Sequence, residues 1–192
     1  MITAIILAAG ESKRMGEPKV LMPWGKSTVL QTIIATLQSA GLQDILVITG
    51  GERERVESLV GRTAQTVFNE DFARGDMLSS LQAGLKTKMR EASAALICLG
   101  DQPQVEERVV QSVCEAFNKY KSKIVVPSFE MRRGHPWLVA RPLWDELLKM
   151  RAPKSPRDFL NKQARTIKYV SVDSPSVIQD LDTPEDYVQQ KP

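Results

Sequence analysis

The sequence predicts an α/β protein built on a three-layer, doubly wound and mostly parallel sheet. Three observations lead there. Short continuous apolar runs of strand length recur at residues 2–7, 45–49 and 94–99, as expected for strands covered on both faces. Between them, apolar residues repeat at helical spacing, and a β-α-β-α succession implies parallel strands with helices on both faces. At 192 residues the chain is long enough to bury most of the apolar surface it exposes when unfolded.

The elements follow in order. Residues 2–7 form the first strand, and residues 10–23 read as a polar loop punctuated by Gly10, Gly16, Pro18 and Pro23. Val29, Leu30, Ile33, Ile34 and Leu37 mark the first helix, with Thr28 and Gln31 as a capping box and Gly41 as the stop. Residues 45–49 are the second strand, 52–59 a helix and 66–68 a third strand. Leu78, Leu81, Leu85 and Met89 mark another helix, for which Ser79 or Ser80 offers a cap. The strand at 94–99 precedes a helix lined by Val105, Val109, Val110, Val113 and Phe117, and residues 124–127 are again a strand. After about residue 128 the pattern loosens. Residues 129–134 read as a turn or hairpin tip, 137–140 as a strand, 142–150 and 156–163 as helical, 166–172 as the last strand and 184–190 as a terminal helix. With no repeat, low-complexity tract or linker, residues 1–192 are expected to form one domain.

Composition excludes several classes. Hydrophobic residues are 42% and charged residues 26% of the chain, which is ordinary globular usage. A net charge of +3, with Lys and Arg spread along the chain, gives no reason to expect a nucleic-acid partner. Cys98 and Cys114 both lie in apolar or amphipathic stretches and read as small buried hydrophobes, with no disulfide framework or metal cluster. The first residues lack the basic leader of a signal peptide, and no apolar run approaches the ~20 residues that span a bilayer. The expected location is a reducing cytoplasm, away from membranes. Trp24, Trp137 and Trp144 are too widely spaced for a stacking platform and are expected to pack in the core or on the surface.

Three stretches carry chemistry. A loop leaving the carboxyl end of a first strand sits where open α/β sheets bind ligands. Here it contains Leu7, Ala8, Ala9 and Gly10, then Arg14 and Lys19. The small residues let the backbone approach a ligand, and the two basic ones suit a triphosphate; a surface loop with scattered basic residues reads equally well. Asp101 follows the strand at 94–99 and is either a metal carboxylate or a turn residue that caps the helix near Val105. Near the end, Thr183 is a good N-cap, Pro184 suits the first helical position, and Glu185 and Asp186 suit the positive helix end. Those assignments leave Asp182 without a structural duty.

These stretches together resemble the molybdopterin nucleotidyltransferases, the molybdenum cofactor cytidylyltransferase-like group of the nucleotide-diphospho-sugar transferase superfamily. The first loop matches L-A-A-G-x-S-x-R-M-G-x-x-K, residues 100–103 match G-D-x-P, and residues 180–186 match D-[IVL]-D-T-P-E-D. Residues 69–85 resemble an N-x-x-x-x-x-G-M-x-x-S-L-x-x-G-L segment, with the departure that Asp76 separates Gly75 from Met77. Gly134, His135 and Pro136 resemble a G-H-P turn at the acceptor side.

The resemblance implies a Rossmann-like fold, with a nucleotide-binding half over about residues 1–127 and an acceptor-binding half plus terminal helix over about 128–192. It implies transfer of a nucleotidyl group, most readily CMP from CTP, to the phosphate of molybdopterin with release of pyrophosphate. Leu7, Ala8, Ala9, Gly10, Arg14, Lys19, Gly75, Ser80 and Asp101 are expected to bind the nucleotide. Arg14, Lys19, Asp101 and Asp182 are the expected catalytic residues, with Mg²⁺ on Asp101 and Asp182 and Asp180 in reserve. Gly134, His135 and Pro136 are the expected acceptor contacts. L-A-A-G rather than L-A-G-G, through Ala9, leans to CTP over GTP. A molybdoenzyme or its chaperone is the implied receiver of the product. Two other readings stay open on the same residues: an acceptor that is a sugar phosphate or polyol phosphate, and a nucleotide-binding regulatory module without catalysis.

Overall fold

A computed structural model describes residues 1–10, 12, 15–74 and 76–192. Strand β1 (Ile2–Ala8) leads through a small ribbon, β2 (Pro23–Trp24) and β3 (Ser27–Thr28), into helix α1 (Val29–Ser39). Then come β4 (Ile45–Thr49), α2 (Arg53–Val60), β5 (Gln65–Phe68), α3 (Met77–Lys88), β6 (Ala94–Leu99), α4 (Glu107–Tyr120) and β7 (Ile124–Phe129). The chain ends with β8 (Arg132–Arg133), β9 (Trp137–Ala140), α5 (Trp144–Lys149), α6 (Pro156–Lys162), β10 (Ile167–Ser171) and α7 (Pro184–Gln190).

The strands lie in the order β10-β7-β9-β6-β1-β4-β5, with β8 hairpinned onto β7. β1 pairs in parallel with β4 and with β6, β4 with β5, and β10 with β7. The sheet is mostly parallel, as predicted, but β9 runs antiparallel to both β6 and β7.

Alternation along each strand explains the continuous apolar runs. Ala4 and Ile6 of β1, Ile45 and Val47 of β4, and Leu96 of β6 face one layer, which holds residues of α1, α2 and α4. Ile5, Leu46, Ile48 and Ile97 face the other, which holds residues of α3, α5 and α6. Both faces are dry, so neither needs polar positions.

Several local expectations are corrected. The stretch 10–23 is not all loop: Lys19–Leu21 forms a 3₁₀ turn, and Pro23 and Trp24 pair with Ser27 and Thr28. Helix α3 is capped by Asp76, whose carboxylate accepts from the backbone N–H of Ser79 at 2.6 Å, and not by Ser79 or Ser80. Helix α4 starts at Glu107 with Glu106 before it, so Asp101 caps nothing. Cys98 is buried but Cys114 is only partly so. All three tryptophans are buried, at 7% exposure or less.

Candidate active site

The strand order reverses next to β1. The chain steps from β1 outward to β4 and β5, then returns to place β6 on the other side of β1. Loops leaving the carboxyl ends of β1 and β6 therefore diverge and leave a crevice between them. A cleft of ≈ 570 Å³ lies there. Leu7, Ala8, Ala9, Gly10, Lys19, Ser80, Asp101, Asp180 and Asp182 all line it, so most of the residues singled out from sequence share one wall system. Arg14 and Gly75 lie outside the described residues.

Two glycines hold the floor. An added Cβ on Gly50, just after β4, would lie 2.2 Å from the backbone oxygen of Ala9. On Gly100, just after β6, it would lie 2.8 Å from the oxygen of Leu7, which already accepts the Gly100 N–H at 3.0 Å. The backbone of residues 7–9 is thus seated between the ends of its two neighbouring strands. Gly50→Ala is expected to cost ~2 kcal/mol or more, since backbone rather than a flexible side chain must move. That is a fall in melting temperature of roughly 4–8 °C for a chain of this size. A variant that melts like the parent would show that Ala9 has room to give.

Lys19 sits at the cleft's centre. Its backbone is fixed by the N–H bond to Ser12 Oγ at 3.0 Å, and Val20 beside it is buried. Its Nζ donates to Asp101 Oδ2 at 3.2 Å and to Asp182 Oδ1 at 2.8 Å. Burial pulls the Lys19 pKa down, but its pairs with Asp182 and Asp101 outweigh that and hold it above the ordinary value. Burial pushes the Asp101 carboxyl up, and Lys19 offsets this only in part.

A strap brings Asp182 there. Leu181 N–H donates to the Asp101 oxygen at 3.1 Å, Gln102 Nε2 to Asp180 Oδ1 at 2.7 Å, and Gln104 Nε2 to the Gln179 oxygen at 2.6 Å. Leu181 is fully buried between the flanking aspartates. Thr183 then caps α7, accepting the Asp186 N–H at 3.2 Å, as the sequence predicts. Tyr187 of α7 donates its hydroxyl to the Pro23 oxygen, and its ring meets Trp24 at 6.1 Å between centroids. Of the two candidate aspartates, Asp182 is the one in hydrogen-bonding contact with Lys19, whereas Asp180 is engaged by the buried Gln102.

On the opposite wall, Asn69 Nδ2 donates to Ser79 Oγ at 2.9 Å and Ser80 Oγ at 3.0 Å, which fixes Ser80 at the cleft edge. Gln102 and Gly50 had no part in the sequence reading, and Ser12, Asn69 and Gly100 stood there only as letters of the matched motifs, without a role. Each acts through a tertiary contact that leaves no periodic or compositional trace.

Gly134, His135 and Pro136 do not line the cleft. His135 N–H donates to the Val177 oxygen at 2.8 Å, and a Cβ on Gly134 would meet that same oxygen at 2.5 Å. The turn is packed against the segment that leads into the strap. Burial pushes the His135 pKa down to about 4, so the ring is neutral near pH 7.

The described charged residues of the lining are Lys19 against Asp76, Asp101, Asp180 and Asp182. One positive charge among four carboxylates does not by itself welcome a polyanion. Among the described residues no group of three or more His, Cys, Asp or Glu side chains is arranged to hold a metal.

Residues 4–167 match the model of the MobA-like NTP transferase domain. The chain belongs to this family. A MobA-like chain of this length is 28% identical, over 99% of its residues and 95% of the relative, to the molybdenum cofactor cytidylyltransferase of Escherichia coli (strain K12). It is also 25% identical, over 96% of its residues and 93% of the relative, to the nicotine blue oxidoreductase of Paenarthrobacter nicotinovorans. Among solved structures, Rv0371c from Mycobacterium tuberculosis H37Rv superposes with a TM-score of 0.86 at 26% identity, covering 98% of this chain and 96% of that one. The same protein, solved in complex with manganese, gives a TM-score of 0.82 at 27% identity over the same shares. The fold, a mixed and mostly parallel sheet flanked by helices, is also shared with a nucleotidyl transferase from Methanothermobacter thermautotroptrophicus, at a TM-score of 0.83 and 22% identity over 100% of this chain and 96% of that one. No helix among the described residues is long and apolar enough to cross a membrane.

Proposed function

We propose that this nucleotidyltransferase transfers CMP from CTP to the phosphate of molybdopterin, with Mg²⁺ and with release of pyrophosphate. The observation that carries the reading is the convergence of Asp101 and Asp182, 81 positions apart, on one cationic centre in the cleft. Two carboxylates that already hold an ammonium between them suit a divalent cation, and Mg²⁺ needs only one or two protein carboxylates beside water and phosphate oxygens. The acidic lining argues the same way, since a bare triphosphate would be repelled there.

The chain's own residues do most of the work by positioning. Ala8, Ala9 and Gly10 present backbone to the phosphates, with Leu7 beneath them. Ser80, and Gly75 by resemblance, border the base and ribose. Arg14 and Lys19 hold the triphosphate and offset the charge that grows on the departing pyrophosphate. Asp101 and Asp182 would hold Mg²⁺, with Asp180 in reserve, and the bound ion would supply charge neutralisation at the α-phosphate. An acceptor phosphate oxygen attacks the α-phosphorus in line, the bond from that phosphorus to the bridging oxygen breaks, and pyrophosphate leaves. The acceptor is anionic near neutral pH, so no general base is required, in keeping with a neutral His135. Gly134, His135 and Pro136, the acceptor contacts implied by the resemblance, lie outside the cleft, so they would act on the acceptor only through the segment they pack against. The product passes to a molybdoenzyme or its chaperone in the cytoplasm.

Likeness to the Escherichia coli enzyme and Ala9 in the first loop support CTP. A pyrophosphate-release assay with each of the four triphosphates and molybdopterin should show CTP favoured over GTP by roughly 1–3 kcal/mol in kcat/KM, the discrimination expected from a small contact difference. Equal or faster turnover with GTP would remove the base assignment. Turnover only with a sugar phosphate or polyol phosphate would replace the acceptor, and no turnover with any acceptor would leave a binding module.

A further inference from the structure

Lys19 occupies the place between the two carboxylates that a metal would take. Its Nζ is 2.8 Å from Asp182 Oδ1 and 3.2 Å from Asp101 Oδ2, and its side chain is only 13% exposed. An ammonium and a divalent cation cannot share that point. A Mg²⁺ ion held by these two carboxylates would be a second cation beside the Lys19 ammonium, whose side chain is little exposed, and like charges so placed repel. One must leave for the other to enter.

The way out is built in. The Lys19 backbone is pinned by Ser12 and by the 3₁₀ turn at Lys19–Leu21, with Val20 in the core, so the turn need not move. The four-carbon stem of a lysine turns about its own bonds, and the cleft beside it is open. Besides Asp101 and Asp182 the described lining offers the ammonium only the carboxylates of Asp76 and Asp180, the latter engaged by Gln102, and no phosphate-like anion. A triphosphate brings one.

We infer that Lys19 is a resident placeholder cation, released from Asp101 and Asp182 by the triphosphate, so that metal and nucleotide enter the site as coupled events. The inference rests on the proposal that these two carboxylates hold the metal. It assigns Lys19 two positions, one between the carboxylates and one on the phosphates of a bound triphosphate. By linkage, whatever factor the triphosphate adds to metal affinity the metal adds to triphosphate affinity. Free metal alone meets an occupied site.

The test is a titration of the nucleotide-free protein with Mn²⁺, read by the loss of the free-ion electron paramagnetic resonance signal. The parent is compared with Lys19→Met and Lys19→Gln, each confirmed as folded by its melting curve. Removing the placeholder should tighten Mn²⁺ binding by about tenfold or more, and adding Asp101→Asn to Lys19→Met should abolish the gain. Equal or weaker Mn²⁺ binding by both folded Lys19 variants overturns the placeholder while leaving the metal site standing, provided that Mn²⁺ binds the parent with a non-hydrolysable CTP analogue. Failure of Mn²⁺ to bind any of the proteins, with or without that analogue, overturns the metal site and the placeholder together. Tighter binding in Lys19→Met that survives Asp101→Asn places the ion elsewhere and also overturns it.

Discussion

Asp101→Ala is expected to lower turnover by roughly 10³-fold or more while the protein stays folded. The carboxylate ends β6 at the crevice, faces Lys19 and is proposed to hold the metal, so its loss falls on the transition state. Stability should not fall with it. Burial raises the Asp101 pKa above its ordinary value, and Lys19 only partly counters this. The folded state therefore holds the proton more tightly than the unfolded chain does. In that case stability declines as pH rises through the window above the ordinary carboxylate pKa, and the ionised group costs stability at pH 7. Removing it leaves Lys19 paired with Asp182, so the melting temperature should hold or rise slightly. A folded variant that keeps most of its activity would reduce Asp101 to a turn residue.

Asp182→Asn should reduce turnover severely, by roughly 10²–10³-fold, and shift the rate to higher Mg²⁺ concentration. Its side chain is 54% exposed and caps nothing, so the melting curve should not move. Thr183→Ala should do the reverse. It removes the α7 cap at a cost of about 1 kcal/mol and leaves the rate of the folded protein nearly intact. Asp180→Asn is the control, since an amide oxygen can still accept from Gln102. If Asp180→Asn carries the large rate loss and Asp182→Asn does not, the two aspartates exchange roles.

Much of this was legible in the sequence, and the gaps have physical causes. β1, β4 and β6 declare themselves because both their faces are buried. The antiparallel sense of β9 does not, because the apolar run of Trp137–Ala140 reads the same in either direction. The ribbon of β2 and β3 is two residues per strand, too short for any period to register. The cap of α3 went to Asp76, the residue inserted between Gly75 and Met77, because the helix starts at Met77 and so Ser79 and Ser80 already lie within its first turn. Motif resemblance gathered Ala8, Lys19, Asp101 and Asp182 on paper, and they meet in one cleft. The partners of Asp180 and Asp182 could not be told apart from sequence, because the difference lies in which side chain reaches them. Lys19 and Asp182 are 163 positions apart.

That separation also bears on how the molecule opens. No strand of the main sheet lies within residues 179–192. The strap and α7 are held by the buried Leu181, by the Lys19–Asp182 ion pair, by a few hydrogen bonds to the turn after β6 and by the contact of Tyr187 with the β2–β3 ribbon. Segments of this kind can detach in a sub-global fluctuation while the remaining core stays intact. Each such excursion carries Asp182 away and leaves molecules that are folded by any bulk measure but unable to bind. Affinity for the nucleotide is then divided by the fraction of molecules with the strap closed. Changes at Tyr187, whose ring and hydroxyl hold α7 to the β2–β3 ribbon, are expected to act on catalysis through that fraction.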